Sequence, residues 1–90
     1  MVQRIIRVYG KVQGVYFRES TKTKALELGL NGFVKNESDG SVLIVAEGEE
    51  VLLDKLESWS RVGPPTARVD SILSEQKNEI KGYITFTVDR

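Results

Sequence analysis

The 90-residue chain has no cysteine and no histidine, two prolines, one tryptophan, and no surplus of either charge, with 13 basic residues against 13 acidic ones. Without cysteine there are no disulfide staples and no thiol nucleophiles, and the further loss of histidine removes the usual zinc ligand sets, so no metal and no cofactor is expected. Histidine is also the side chain best suited to proton transfer near neutral pH. Any catalysis here has to proceed without it. Balanced charge provides no overall field to hold a polyanion against salt, so no nucleic acid partner is expected. Long hydrophobic runs are missing too: stretches such as Val42 to Ala46 are far too short to span a bilayer, and no membrane partner is expected. The residues from Met1 to Arg4 lack the apolar run of a signal peptide, which makes the cytoplasm the expected compartment.

What is present is an ordinary globular composition, 40% hydrophobic and 29% charged. A chain of this length buries roughly 60–65% of the surface exposed by its unfolded form, which leaves room for one domain over residues 1–90 with a single two-layer core.

Gln3 to Tyr9 is rich in β-branched and aromatic residues, with Ile6 and Val8 on one face and Ile5, Arg7 and Tyr9 on the other, and reads as a strand ended by Gly10. Glu19 to Leu30 carries good helix formers, with Thr21, Ala25 and Leu28 at helical spacing and Gly29 near the stop. Leu30 to Asn36 and Ser41 to Glu47 are β-like, and the Glu37-Ser38-Asp39-Gly40 insert between them marks an antiparallel hairpin. Glu49 to Trp59 places Leu52, Leu56 and Trp59 on one helical stripe behind three acidic residues, and Gly63-Pro64-Pro65 ends it. Ala67 to Glu75 and Tyr83 to Val88 supply two further strands around a polar loop from Lys77 to Gly82. The order predicts an α+β, ferredoxin-like βαββαβ sandwich, an antiparallel sheet with both helices on one face. That architecture serves many functions, so function has to be sought in a site.

The most unusual segment is Gly10-Lys11-Val12-Gln13-Gly14-Val15-Tyr16-Phe17-Arg18, between the first strand and the first helix. A glycine-permitted turn before a helix start gathers backbone N–H groups into an anion nest, reinforced by the positive end of the helix dipole. Arg18 can add a bidentate grip on a phosphate or carboxylate that lysine cannot copy. By spacing alone the same residues also describe a turn with a solvated charge, in which Val15 and Phe17 serve as core or loop anchors. Asn36, at the end of the second strand, is equally a turn residue or a polar group of the same site, and the sequence does not set its distance from the loop.

The run GKVQGVYFR over residues 10–18, Leu28 to Asn36, Asp39-Gly40-Ser41-Val42, and matches through Gly48, Trp59, Gly63-Pro64-Pro65, Ala67 to Val69 and Phe86 to Val88 resemble the acylphosphatase signature over nearly the whole chain. The resemblance implies hydrolysis of the carboxyl–phosphate anhydride bond of small acyl phosphates. It implies that Arg18 and the amides of Gln13, Gly14, Val15, Tyr16 and Phe17 bind phosphate, and that Asn36 positions the attacking water. Tyr16 stands where the family often has a smaller residue, and Phe33 where it has Trp or Tyr. In some members a chain-end carboxylate braces the arginine; here the tail runs on to Asp89 and Arg90. The missing histidine fits this chemistry, because a carboxylate leaving group with a conjugate-acid pKa of about 4–5 departs unprotonated and needs no general acid. A monomer acting on a small molecule is expected. The alternative is a non-catalytic module of the same fold that binds or senses acyl or carbamoyl phosphate. An RNA reader of this fold would want exposed aromatics on a basic face, which the neutral charge and the acidic run around Glu47 to Glu50 disfavour.

Overall fold

A computed structural model describes residues 1–89. The elements run β1 (Val2–Lys11), α1 (Phe17–Glu27), β2 (Asn31–Asn36), β3 (Val42–Gly48), α2 (Glu50–Ser60), β4 (Arg68–Lys77) and β5 (Phe86–Asp89). They form a ferredoxin-like two-layer sandwich with the sheet order β4-β1-β3-β2-β5. Four strands pair antiparallel, as the hairpin signal and the two split crossovers require, while the short β5 joins the far edge parallel to β2.

The alternation read in the first strand is borne out: Ile6 and Val8 are fully buried beneath the helices with Val34, Val42 and Ile44 from neighbouring strands. On the helical side Phe17, Ala25, Leu53 and Leu56 close the same cluster. At about 25 cal/mol per Å² of apolar surface removed from water, these side chains supply the main favourable contribution to folding.

Three expectations shift. The buried stripe of α2 is Leu53, Leu56 and Ser60, with Leu52 and Trp59 only partly covered, so the helix is rotated about one residue from the expected face. The last strand begins at Phe86, not Tyr83, and Ile84 is 93% exposed. The reason is topological: β4 and β5 lie on opposite edges, so the chain between them must cross the sheet before it can pair. The polar loop makes that crossing, and its Lys81, Gly82 and Tyr83 N–H groups donate to the buried Glu47 carboxylate at 2.6, 3.0 and 3.2 Å while Tyr83 packs edge-on against Phe33. Finally, α1 spans Phe17–Glu27 instead of Glu19 to Leu30. Its C-terminal end turns off where expected, with Gly29 in the left-handed region at φ 72° and Leu30 N–H returning to the Ala25 carbonyl at 2.9 Å.

The site depends on register. Val42 of β3 is paired with Val8 of β1 on one side and with Asn36 of β2 on the other. Neighbouring strands are about 4.8 Å apart, so Asn36 lies about 10 Å across the sheet from Val8, on the same face and at the same end. The loop that follows β1 emerges at that end.

Candidate active site

Between β1 and α1, buried and exposed residues alternate. Val12, Val15 and Phe17 drive their side chains into the core, whereas Gly14 and Tyr16 face outward. The backbone alternates as well: Gly14 (φ 73°) and Tyr16 (φ 64°) take positive φ, while Gln13 and Val15 do not. Such alternation curls successive N–H groups toward one concavity and makes a nest. Consistent with that, the N–H groups of Gln13, Gly14, Val15 and Tyr16 donate no hydrogen bond to protein among the described residues. The first N–H groups of α1 are likewise unpaired by the geometry of any helix start.

Tyr16 is the N-cap residue of α1 and the only non-glycine at positive φ among the described residues. For an L-residue with a side chain this conformation costs about 1–2 kcal/mol. Gly14 adopts the same region freely, with open space where a Cβ would sit. The surroundings hold the loop in place. Phe17 stacks at a tilt on Trp59 with ring centroids 5.6 Å apart, and Thr66 Oγ1 donates to the Val15 carbonyl at 2.5 Å.

Because α1 starts at Phe17, Arg18 belongs to its first turn rather than to the loop's end. The guanidinium is half-buried and has no ion pair or hydrogen bond among the described residues. Arg18 lines a cleft of about 350 Å³ together with Val12, Gly14, Tyr16, Phe17 and Glu19. Volume alone does not select this cleft, since a hollow of about 490 Å³ lies among Gln3 and Lys77 to Lys81 at the other end of the sheet. The chain-end carboxylate that braces the arginine in some members of the resembled family would here fall on Arg90, which lies outside the described residues.

Gln13 behaves differently from its neighbours. Its side-chain amide donates to the carbonyls of Glu37 and Ser41 at 2.8 and 2.9 Å, which ties the loop to the β2–β3 turn immediately beyond Asn36. Only its backbone N–H is therefore available to a ligand. The turn is stiff: Asp39 accepts from Ser41 Oγ and N–H at 2.6 and 2.9 Å, and these bonds hold its carboxyl below the ordinary value. Asn36 Oδ1 is the one buried side-chain polar atom among the described residues with no hydrogen-bond partner. An unsatisfied buried acceptor costs about 1–3 kcal/mol, so a retained one points to a partner outside the protein.

The structure thus brings the loop and the Asn36 end of β2 together through Gln13, which spacing alone could not do. The roles of Thr66 and of the Glu37 and Ser41 carbonyls carry no local sequence signal, because they act across 51, 24 and 28 residues. Among the described residues no group of three or more acidic side chains could hold a metal ion.

Fold and site together define a small ferredoxin-like protein whose first helix is headed by a loop of backbone N–H groups with no protein acceptor among the described residues. The acylphosphatase family model matches residues 4–88. An acylphosphatase from Mannheimia succiniciproducens is 48% identical over 86 residues, covering 96% of this chain and 92% of that protein. The crystal structure of acylphosphatase from Bacillus subtilis matches with a TM-score of 0.97 at 36% identity, with 100% of both chains covered. A crystal structure of full-length HypF in its phosphate- and nucleotide-bound form is 30% identical with a TM-score of 0.90, covering 100% of this chain and 12% of that one. The chain belongs to the acylphosphatase family. That membership favours an enzyme over the non-catalytic module that the fold alone left open.

Proposed function

We propose that the protein, as a cytoplasmic monomer formed by the single domain 1–90, hydrolyses small acyl phosphates to a carboxylate and inorganic phosphate. Arg18 and the N–H groups from Gln13 to Phe17 hold the phosphoryl group, and Asn36 positions the water. The observation that carries this reading is the run of four consecutive N–H groups without a protein acceptor beside an arginine without a carboxylate partner among the described residues.

Phosphoryl transfer needs positioning and neutralisation of charge on the equatorial oxygens more than it needs covalent help. A nest of amides with a bidentate guanidinium supplies both, because its donors are already oriented before the reaction starts. Water attacks phosphorus, the bond from phosphorus to the bridging oxygen breaks, and its electron pair leaves on the carboxylate. Asn36 Oδ1 accepts a hydrogen bond from that water and so aims its lone pair. An amide is too weak a base to take the proton, which passes to a phosphoryl oxygen of the substrate. The leaving carboxylate needs no proton at all.

Phosphate release from acetyl and benzoyl phosphate, measured with EDTA present, tests the reading. Turnover with both is expected; binding of either without release selects the sensing module, and turnover that stops on chelation overturns the metal-free route.

A further inference from the structure

Tyr16 presents an unsolved balance. The loop demands a left-handed residue at this position, the conformation in which glycine is free and tyrosine is strained. The side chain returns nothing to the fold: it is 76% exposed, and its ring and hydroxyl make no ring contact or hydrogen bond among the described residues. Yet Tyr16 is one of the residues that line the cleft holding Arg18. An exposed aromatic on a strained backbone at the rim of a site is an unfavourable choice unless it meets something that binds there.

The chemistry of the site says which part of the ligand it meets. In-line displacement puts the leaving group opposite the attacking water. Asn36 Oδ1, the group that would hold the water, is buried. The acyl group therefore departs toward solvent, and of the large apolar residues lining the cleft, Val12 and Phe17 are buried while Tyr16 is the exposed one.

We infer that the ring of Tyr16 forms the wall against which the acyl group of the substrate packs, and that it biases this enzyme toward acyl phosphates with a flat aromatic acyl group over small aliphatic ones. The inference rests on the hydrolase reading above. A planar acyl group can lie against or edge-on to the phenol ring, whereas an acetyl group offers a single methyl. The hydroxyl plays no part, so phenylalanine should serve as well.

The test is the ratio of kcat/KM for benzoyl phosphate to that for acetyl phosphate, in which any general effect on the phosphate loop cancels. In Tyr16→Gly the ratio should fall by about 3–10-fold, the preference that an aromatic contact supplies, mainly through KM for benzoyl phosphate. Tyr16→Phe should keep the wild-type ratio. Thermal melting of Tyr16→Gly should occur at a higher temperature than wild type as the strain is relieved, which also establishes that this variant is folded. A ratio unmoved in Tyr16→Gly overturns this inference alone. Failure of the unaltered protein to release phosphate from either substrate removes the hydrolase reading and this inference with it.

Discussion

At the Gly48 end of β3, Glu47 accepts hydrogen bonds from three successive backbone N–H groups, at Lys81, Gly82 and Tyr83, and a fourth from the Gln3 side chain at 2.8 Å. At the Val42 end, the N–H groups of Gln13 to Tyr16 have no protein acceptor, and Arg18 has no carboxylate partner among the described residues. Both ends gather backbone amides where negative charge belongs. One end contains its own anion and uses it to anchor the strap that crosses the sheet. The other leaves its donors without a protein acceptor among the described residues, and there the unfavourable features collect: a tyrosine at positive φ and a buried Asn36 oxygen without a partner among those residues. A nest filled by the chain contributes to stability, whereas a nest left to a ligand holds part of that stability in reserve for binding.

The contrast can be broken from either side. The largest effect belongs to Arg18→Lys, which keeps the charge and loses the bidentate fork; turnover of acetyl phosphate should fall by at least about 10²–10³-fold. Its melting temperature should stay near wild type, because the guanidinium makes no hydrogen bond or ion pair among the described residues. Near-wild-type turnover would remove Arg18 from the cradle.

Asn36→Ala should lower kcat by about 10²-fold while the inhibition constant for inorganic phosphate changes little. Stability should not drop by the usual penalty for a lost hydrogen bond, since Oδ1 makes none among the described residues. Loss of phosphate binding with kcat retained would exchange the roles of Asn36 and Arg18.

At the other end, Glu47→Gln removes one of the two acceptor oxygens and should cost about 1–3 kcal/mol in denaturant unfolding. Turnover should survive, because the change lies five residues along β3 from Val42, about 17 Å away. The pH dependence has a definite sign. Burial acts to raise the Glu47 carboxyl, but the hydrogen bonds from Lys81, Gln3, Gly82 and Tyr83 outweigh it and hold the group below its ordinary value. A depressed carboxyl contributes stability above its unfolded pKa of about 4.3 and loses that contribution as pH falls through the folded value. Wild type should therefore lose stability in acid more steeply than Glu47→Gln, and parallel acid curves for the two proteins would show that the strap is held by something else.

The smallest effect on activity at the Val42 end belongs to Gln13, which fastens the loop there to the β2–β3 turn. Gln13→Ala deletes two hydrogen bonds to the β2–β3 turn, each worth about 0.5–1.5 kcal/mol. It should raise KM for acetyl phosphate severalfold and lower stability by about 1–3 kcal/mol. An unaltered KM would show that the buried Val12, Val15 and Phe17 and the Thr66 bond hold the loop's shape without Gln13.

Much of the fold could be read from side-chain periodicity, because burial on one face imposes it: Ile6 and Val8 against Ile5, Arg7 and Tyr9 in β1, and Thr21 with Ala25 in α1. Periodicity failed where burial has another cause. Ile84 continues the alternation of Phe86 and Val88, yet it and Tyr83 precede the strand and belong to the crossing strap. The start of α1 was read two residues late because Phe17 and Arg18 follow a tyrosine that no propensity rule would place in a left-handed cap.

By itself the sequence determined which chemistry is affordable. Without histidine or cysteine, imidazole proton transfer and thiol nucleophiles are excluded whatever the fold, and the hydrolysis that the resemblance to the acylphosphatases implies fits that absence, because its leaving carboxylate needs no proton. Only the tertiary structure decided where the groups meet. Asn36 reaches the loop because β1 and β2 both pair with β3 in a register that sets Val8, Val42 and Asn36 in one row, and because Gln13 fastens the loop to the turn beyond. Those are distances across 24 and more residues, which local spacing does not encode and which strand pairing alone creates.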